Sequence, residues 1–249
     1  MRAEVTAAVV AAPFIGSFLG VVVQRLPRRE DFVRGRSRCP ACGARLAARD
    51  LVPLVSWMWL RGRCRSCGGA ISLFYPAIEL AALAVALSAG LVFSGWLLWA
   101  SCAFGWVLLT LALIDWREYL LPDPLTLPLA PLGLAVAWLS APEDLVDRLI
   151  GAAAGFVAFV AIAALYRRGR GREGLGRGDA KLLGGLGAWV GASGLPSVIL
   201  LASLLALAVA FGRRAFGDKI TATDPLAFGP YLALAGWIVW LCGPLVFPW

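Results

Sequence analysis

Gly176-Arg177-Gly178-Asp179-Ala180-Lys181-Leu182-Leu183 sets a carboxylate at the mouth of a hydrophobic segment, behind two glycines that let another backbone come close. An acid at a membrane boundary is costly to desolvate, so it points to function before structure. The surrounding chain has 249 residues, 60% hydrophobic and only 15% charged, with a mean hydropathy of +0.80. A soluble domain is roughly half apolar. The 11 Trp and 28 Gly suit a bilayer, where aromatics sit at the interfaces and glycines let helices pack. Eight apolar segments, at about 4–24, 73–93, 96–116, 124–140, 146–166, 180–192, 195–212 and 227–247, are candidates to cross it, the fourth and sixth being short. Lipid offers no partner for a backbone amide, so such segments must be helical. The expected fold is an all-α integral membrane protein of about eight transmembrane helices. The first segment runs into Gln24-Arg25 without a strongly basic start or a small-residue cleavage site. It reads as a membrane helix rather than a signal peptide.

The basic residues test this count. Of the 23 Lys and Arg, all but Arg2 and Arg148 fall in alternate connections on one side of the eight segments. Eleven Arg lie between residues 25 and 72. Arg117 follows the third segment, Arg167 to Lys181 the fifth, and Arg213, Arg214 and Lys219 the seventh. By the positive-inside rule this side is cytoplasmic and both termini lie outside. The net charge of +8 and the pI near 9.7 thus follow membrane sidedness. No aromatic platform lies in a polar groove, which argues against a nucleic-acid binder. The Gly/Arg-rich run at 167–178 reads as a flexible loop leading to Asp179.

The one sizeable polar segment, 25–72, carries Cys39-Pro40-Ala41-Cys42 and Cys64-Arg65-Ser66-Cys67. Two CxxC knuckles can supply four thiolates to a tetrahedral zinc ion, a closed structural site with no open coordination position. Disulfides or a redox pair are the alternatives, and a cytoplasmic location disfavours lasting disulfides. So short a loop has little core, and metal binding would supply much of its folding energy. The nearby Arg residues offset the anionic site and face acidic lipid headgroups. Cys102 and Cys242 sit alone in apolar segments and read as packing residues.

The chain has no histidine. This excludes Ser-His-Asp, Cys-His and HExxH chemistry and leaves carboxylates as the natural hydrolytic groups. The candidate partners of Asp179 are Glu79, Asp115, Glu118 and Asp123, all at cytoplasmic ends of segments. Asp123, before Pro124 and a helix, looks like an ordinary N-cap. Asp115, in Leu113-Ile114-Asp115, closes a long apolar run where the helix dipole disfavours negative charge and no structural reason is visible. Two close carboxylates sharing a proton are the working parts of an aspartic protease. The pair Asp115 and Asp179 fits that chemistry, and equally a proton relay or ion pair in a transporter.

The ordered set of motifs resembles the type IV prepilin peptidases, membrane aspartic proteases of the GxGD type, over nearly the whole chain. It comprises Gly16-Ser17-Phe18-Leu19 with Arg25-Leu26-Pro27, Arg36-Ser37-Arg38 with the first knuckle, and Pro53-Leu54-Val55-Ser56-Trp57. Arg61-Gly62-Arg63 with the second knuckle, Tyr75-Pro76-Ala77-Ile78-Glu79-Leu80, and Leu113-Ile114-Asp115 with Leu121-Pro122-Asp123 follow. Gly176 to Leu183 and Phe228-Gly229-Pro230-Tyr231 complete it. The resemblance implies that Asp115 and Asp179 are catalytic and that Cys39, Cys42, Cys64 and Cys67 hold zinc. It implies prepilins or pseudopilins as substrates, cut after a glycine at the cytoplasmic face of the bacterial inner membrane. It further implies methylation of the new N-terminal amine with S-adenosylmethionine, for which no classical methyltransferase fingerprint is present. Gly176 and Gly178 would let an extended peptide approach the acid, and Glu118 or Asp123 would meet the basic leader. Gly20 stands where the family commonly has Asn. Glu79 is part of a motif, though an interfacial ion pair with an Arg explains it as well. The domains expected are a first helix at 1–24, a zinc-binding loop at 25–72 and a transmembrane peptidase domain at 73–249. A proton-coupled transporter using the same acids is the alternative.

Overall fold

The computed structural model describes residues 2–33, 35, 37–170, 176–216 and 227–245. Of the positions used above, Arg34, Arg36, Arg172, Lys219 and the end of the eighth segment at 246–247 lie outside them. So does the middle of the Gly/Arg-rich run, at 171–175. Among the described residues the fold is helical, with only two isolated β-bridges and no strand. The chain divides into two compact units, Met1–Trp106 and Val107–Trp249.

In the first unit α1 (Ala3–Arg25) packs on α3 (Phe74–Val92) along a seam of small residues. Ala8, Ala12, Ala82, Ala86 and Ala89 are fully buried. At Gly16 a Cβ would lie 2.7 Å from the Glu79 Cα, so only glycine admits the neighbouring backbone. Small residues are what membrane helices use to approach closely, because lipid supplies little hydrophobic drive for their association. Between these helices lie the cysteine knuckles, a short 3-10 turn at Ala48–Asp50 and the five-residue helix α2 (Val55–Trp59). The helix α4 (Gly95–Glu118) runs from the first unit into the second.

The second unit adds α5 (Asp123–Thr126), α6 (Leu129–Ser140), α7 (Leu145–Arg170), α8 (Arg177–Ala215) and α9 (Gly229–Cys242). The fourth expected segment is therefore two helices. Pro128, which has no amide hydrogen to donate, stands between them. The expected loop at 167–178 is shorter than its composition suggests. Arg167 and Arg168 lie in the last turn of α7, where cations favour the helix dipole. The sixth and seventh segments form one helix by hydrogen bonding, interrupted at Gly191 with φ 76° and ψ 173°, a conformation open to glycine. An unbroken helix of 1.5 Å rise per residue would hold Asp179 and Arg213 about 50 Å apart. Instead Asp179 lies beside Asp115, whose carboxylate meets Gly229, and Arg213 lies within electrostatic reach of Tyr231. The chain thus turns back at Gly191, and the two halves of α8 act as separate segments. The opened turn is closed by Arg148, which donates to the Trp189 carbonyl and stacks 5.5 Å from the Trp240 ring.

Five helices are long and apolar enough to cross a membrane: Ala3–Arg25, Phe74–Val92, Gly95–Glu118, Pro142–Gly169 and Arg177–Ala215. With α8 divided, and with the shorter α6 and α9, the eight expected segments each have a helical counterpart. The tightest packing joins α7 to α8, where a Cβ at Gly155 would lie 2.7 Å from the Leu183 carbonyl and one at Gly187 would overlap the Gly151 backbone. Gly187→Ala is therefore expected to destabilise the protein by about 1–3 kcal/mol through overpacking. Gly212→Ala, where nothing lies within 4 Å of the added atom, should leave the melting temperature unchanged or slightly raised. Thermal unfolding of both variants in one detergent checks the contrast.

Candidate active site

One end of the second unit collects the last turn of α4 and the first turns of α5, α8 and α9. Asp115 lies in that last turn and is only 6% exposed. Its Oδ2 accepts the Gly229 amide at 2.9 Å, and Gly229 is the first residue of α9. An acid that the dipole of its own helix disfavours is thus held by the positive end of another. Asp179 is 8% exposed, at the third position of α8, and its Oδ2 accepts the Gly176 amide at 3.2 Å. The Asp179 carboxylate lies within electrostatic reach of Asp115. Each carboxylate keeps Oδ1 without a donor among the described residues. Two acids so placed can hold one proton between them, presenting a base and an acid to the same water.

The other acids behave differently. Asp123 is not an N-cap: it is the first residue of α5, and the Leu125 and Thr126 amides bond to the Pro122 carbonyl. Its Oδ1 lies 2.6 Å from Lys181 Nζ, joining α5 to the first turn of α8. Glu118 is exposed. Glu79, in α3 of the first unit, is 5% exposed and has no Lys or Arg within ion-pairing distance among the described residues. The expected ion pair is not formed among the described residues; Arg25 donates to the Asp31 and Gly35 carbonyls. Glu79 Oε2 accepts the Leu54 amide at 2.7 Å. Gly176 is exposed beside Asp179, whereas the space a side chain would need at Gly178 is filled by Leu121, 2.8 Å from an added Cβ. The sequence reading quoted Gly229 within a motif but gave it no role. Gly-Pro marks a helix start, but nothing local names the acid it serves, 114 residues away.

In the first unit the four knuckle sulfurs lie within 4.8 Å of one another, a group that could hold a metal ion. The two knuckles are built alike. The Gly43 and Gly68 amides donate to the Cys39 and Cys64 carbonyls, both at 2.9 Å, and each glycine has positive φ, 71° and 72°. Cys39 Sγ and Cys67 Sγ are 3.9 Å apart, far beyond a disulfide, and all four cysteines are free. Ligand bonds of about 2.3 Å arranged tetrahedrally put sulfurs about 3.8 Å apart, so the spacing fits zinc. The Cys67 and Ser66 amides, chiefly, lower the Cys64 thiol to about 6, making it a ready thiolate at neutral pH. At Cys67 the Gly69 amide pulls downward, but the Cys42 sulfur, burial and the other two sulfurs outweigh it and push the thiol up to about 11. Sulfurs this crowded resist joint ionisation unless a cation joins them.

Residues 10–93 match the profile of the bacterial peptidase A24 N-terminal domain, and residues 102–211 that of the type IV leader peptidase family. The chain is 40% identical over 261 residues to an Aeromonas hydrophila protein, with 94% of this chain and 89% of that one covered. The chain belongs to the type IV leader peptidase family. Two further relatives of this leader peptidase come from Dickeya chrysanthemi, 41% identical over 247 residues, and Pseudomonas aeruginosa, 39% over 257. The former alignment covers 89% of this chain and 87% of the relative, the latter 92% and 87%. All three relatives are named prepilin leader peptidase/N-methyltransferase. No solved structure matches the chain. The transporter alternative finds no support among these relatives.

Proposed function

We propose that this leader peptidase cuts the basic leader from type IV prepilins or pseudopilins at the cytoplasmic face of a bacterial inner membrane, and then methylates the new N-terminal amine. The observation that carries the reading is the pair of buried carboxylates, Asp115 and Asp179, held by two helix N-termini at one end of the second unit. One acid, ionised, takes a proton from water, whose oxygen attacks the scissile carbonyl. The other, protonated, donates to the carbonyl oxygen. Collapse of the tetrahedral intermediate breaks the C–N bond, and the departing amine takes up a proton. Gly176 leaves the flank of Asp179 open to an extended peptide. The arginine distribution supports a reading with both acids at the cytoplasmic side and both termini outside. In this reading 1–24 is the first transmembrane helix, 25–72 the cytoplasmic zinc-binding loop domain and 73–249 the transmembrane peptidase domain.

The test uses purified enzyme in detergent with a synthetic prepilin, read by mass spectrometry with and without S-adenosylmethionine. Loss of the leader together with gain of one methyl is expected. An intact substrate defeats the peptidase reading; a cleaved but unmethylated product defeats the second half alone.

Zinc is the metal that suits the four-sulfur cluster. Its role is structural, since Cys39, Cys42, Cys64 and Cys67 complete a tetrahedron. Metal analysis of purified protein should give about one equivalent of zinc, with Cys39→Ser losing most of it. A metal-free protein whose loop resists protease as well as the loaded one would count against the site.

A further inference from the structure

The first unit contains a cavity of about 220 Å³, bounded by α1, α3 and the cysteine loop. This is far more than a water-sized void needs. Ser17 contributes from α1, Tyr75 and Glu79 from α3, and Leu54 and Trp57 from the segment between the knuckles; Cys39 forms part of the wall. The peptidase chemistry uses none of these groups.

The acid here is unusual. Glu79 is 95% removed from solvent, yet only the Leu54 amide and the Ser17 side chain satisfy it, and no cationic side chain pairs with it among the described residues. A buried carboxylate without a cation is poorly compensated. Leu54 has φ 61° and ψ −51°, a backbone conformation that disfavours a leucine. That conformation turns its amide to Glu79 at 2.7 Å. Strain of this kind persists where surrounding structure imposes it, and it clusters at ligand sites. Aromatic rings at Trp57 and Tyr75 give the same cavity faces on which a planar heterocycle or a cation can rest.

We propose that this cavity binds the methyl donor, a sulfonium-bearing nucleoside, with Glu79 as the anion that receives its positive charge. The assignment rests on the methylation half of the function proposed above. Arg25 and Arg38 line the same cavity, yet neither pairs with Glu79 among the described residues. The donor brings that carboxylate a cation, together with an aromatic base for the rings. In the transfer itself the amine lone pair forms the new N–C bond. The C–S pair returns to sulfur, leaving a neutral thioether, and the alkylated ammonium releases its proton to water. Glu79 thus faces a cation before transfer and a less charged product after it.

Binding of S-adenosylmethionine and of its neutral-sulfur product, S-adenosylhomocysteine, to purified full-length protein, measured by isothermal titration, tests the proposal. Glu79→Gln is expected to weaken the donor at least tenfold and the product less. Ser17→Leu, which fills the cavity without removing charge, should weaken both. Unchanged zinc content and helical circular dichroism show that the variants are folded. If the wild type binds the donor and both folded variants bind it equally well, this site is wrong while the methylation reading stands. If the wild type binds no donor, the methylation reading fails and this assignment fails with it. Should Glu79→Gln not fold, Ser17→Leu alone decides, since an unaltered affinity there overturns the site.

Discussion

Asp115→Asn and Asp179→Asn are each expected to abolish leader cleavage, by about 10⁴-fold or more in kcat, while the protein still inserts and melts at nearly its normal temperature. Asn keeps the shape of Asp and an oxygen that can accept the Gly229 or Gly176 amide, so the helix ends remain joined. What Asn removes is the ability to ionise and to exchange a proton with water. A pair that shares one proton needs both members, so the double variant should be hardly worse than either single one. The rate of leader removal from a synthetic prepilin in proteoliposomes, compared among wild type, singles and double, reads this directly. Normal cleavage by either single variant would remove the pair from the mechanism. Methylation of an already shortened peptide by the same variants separates the two activities, because the cavity beside Glu79 is built entirely from the first unit.

The apolar segments were readable because lipid leaves the backbone one local solution. Each has a helix at nearly its expected place. The knuckles were readable too, since two CxxC pairs state their chemistry within four residues each. Harder to read was anything decided by a partner far away in the chain. Asp115 looked unsupported because its support, the Gly229 amide, comes from another helix. Asp123 looked like a cap because an acid before Pro-helix usually is one, but Lys181 on α8 claims its carboxylate. Glu79 looked like half of an interfacial ion pair with an arginine, yet among the described residues its partners are the Leu54 amide and the Ser17 side chain. Gly191 divides α8 through a positive φ that composition alone does not announce. Local patterns fix elements, while the pairing of acids with amides and cations depends on which helix ends meet.

Gly229→Ala carries the second-largest expected effect and tests whether that meeting of helix ends matters. A Cβ at this position would lie 2.7 Å from Asp115 Oδ2 and 3.0 Å from Cγ, closer than real contacts allow. The carboxylate must therefore retreat, and the 2.9 Å bond from the Gly229 amide lengthens or breaks. Alanine is no worse than glycine within a helix, so the fold itself has no reason to suffer beyond this contact. A displacement approaching 1 Å of a group that must share a proton with Asp179 is expected to lower kcat by about 10²-fold. KM should change little, because Gly229 holds the acid and is not proposed to touch the substrate. The melting temperature should stay within the range of the Gly212→Ala control. Combining Gly229→Ala with Asp115→Asn separates positioning from bulk damage. If glycine acts only through Asp115, the alanine should add almost no further loss once that acid has gone. An independent, multiplicative loss would mean that α9 contributes to cleavage by some other route. A normal rate in the single variant would mean that Asp115 works without the helix end that now holds it.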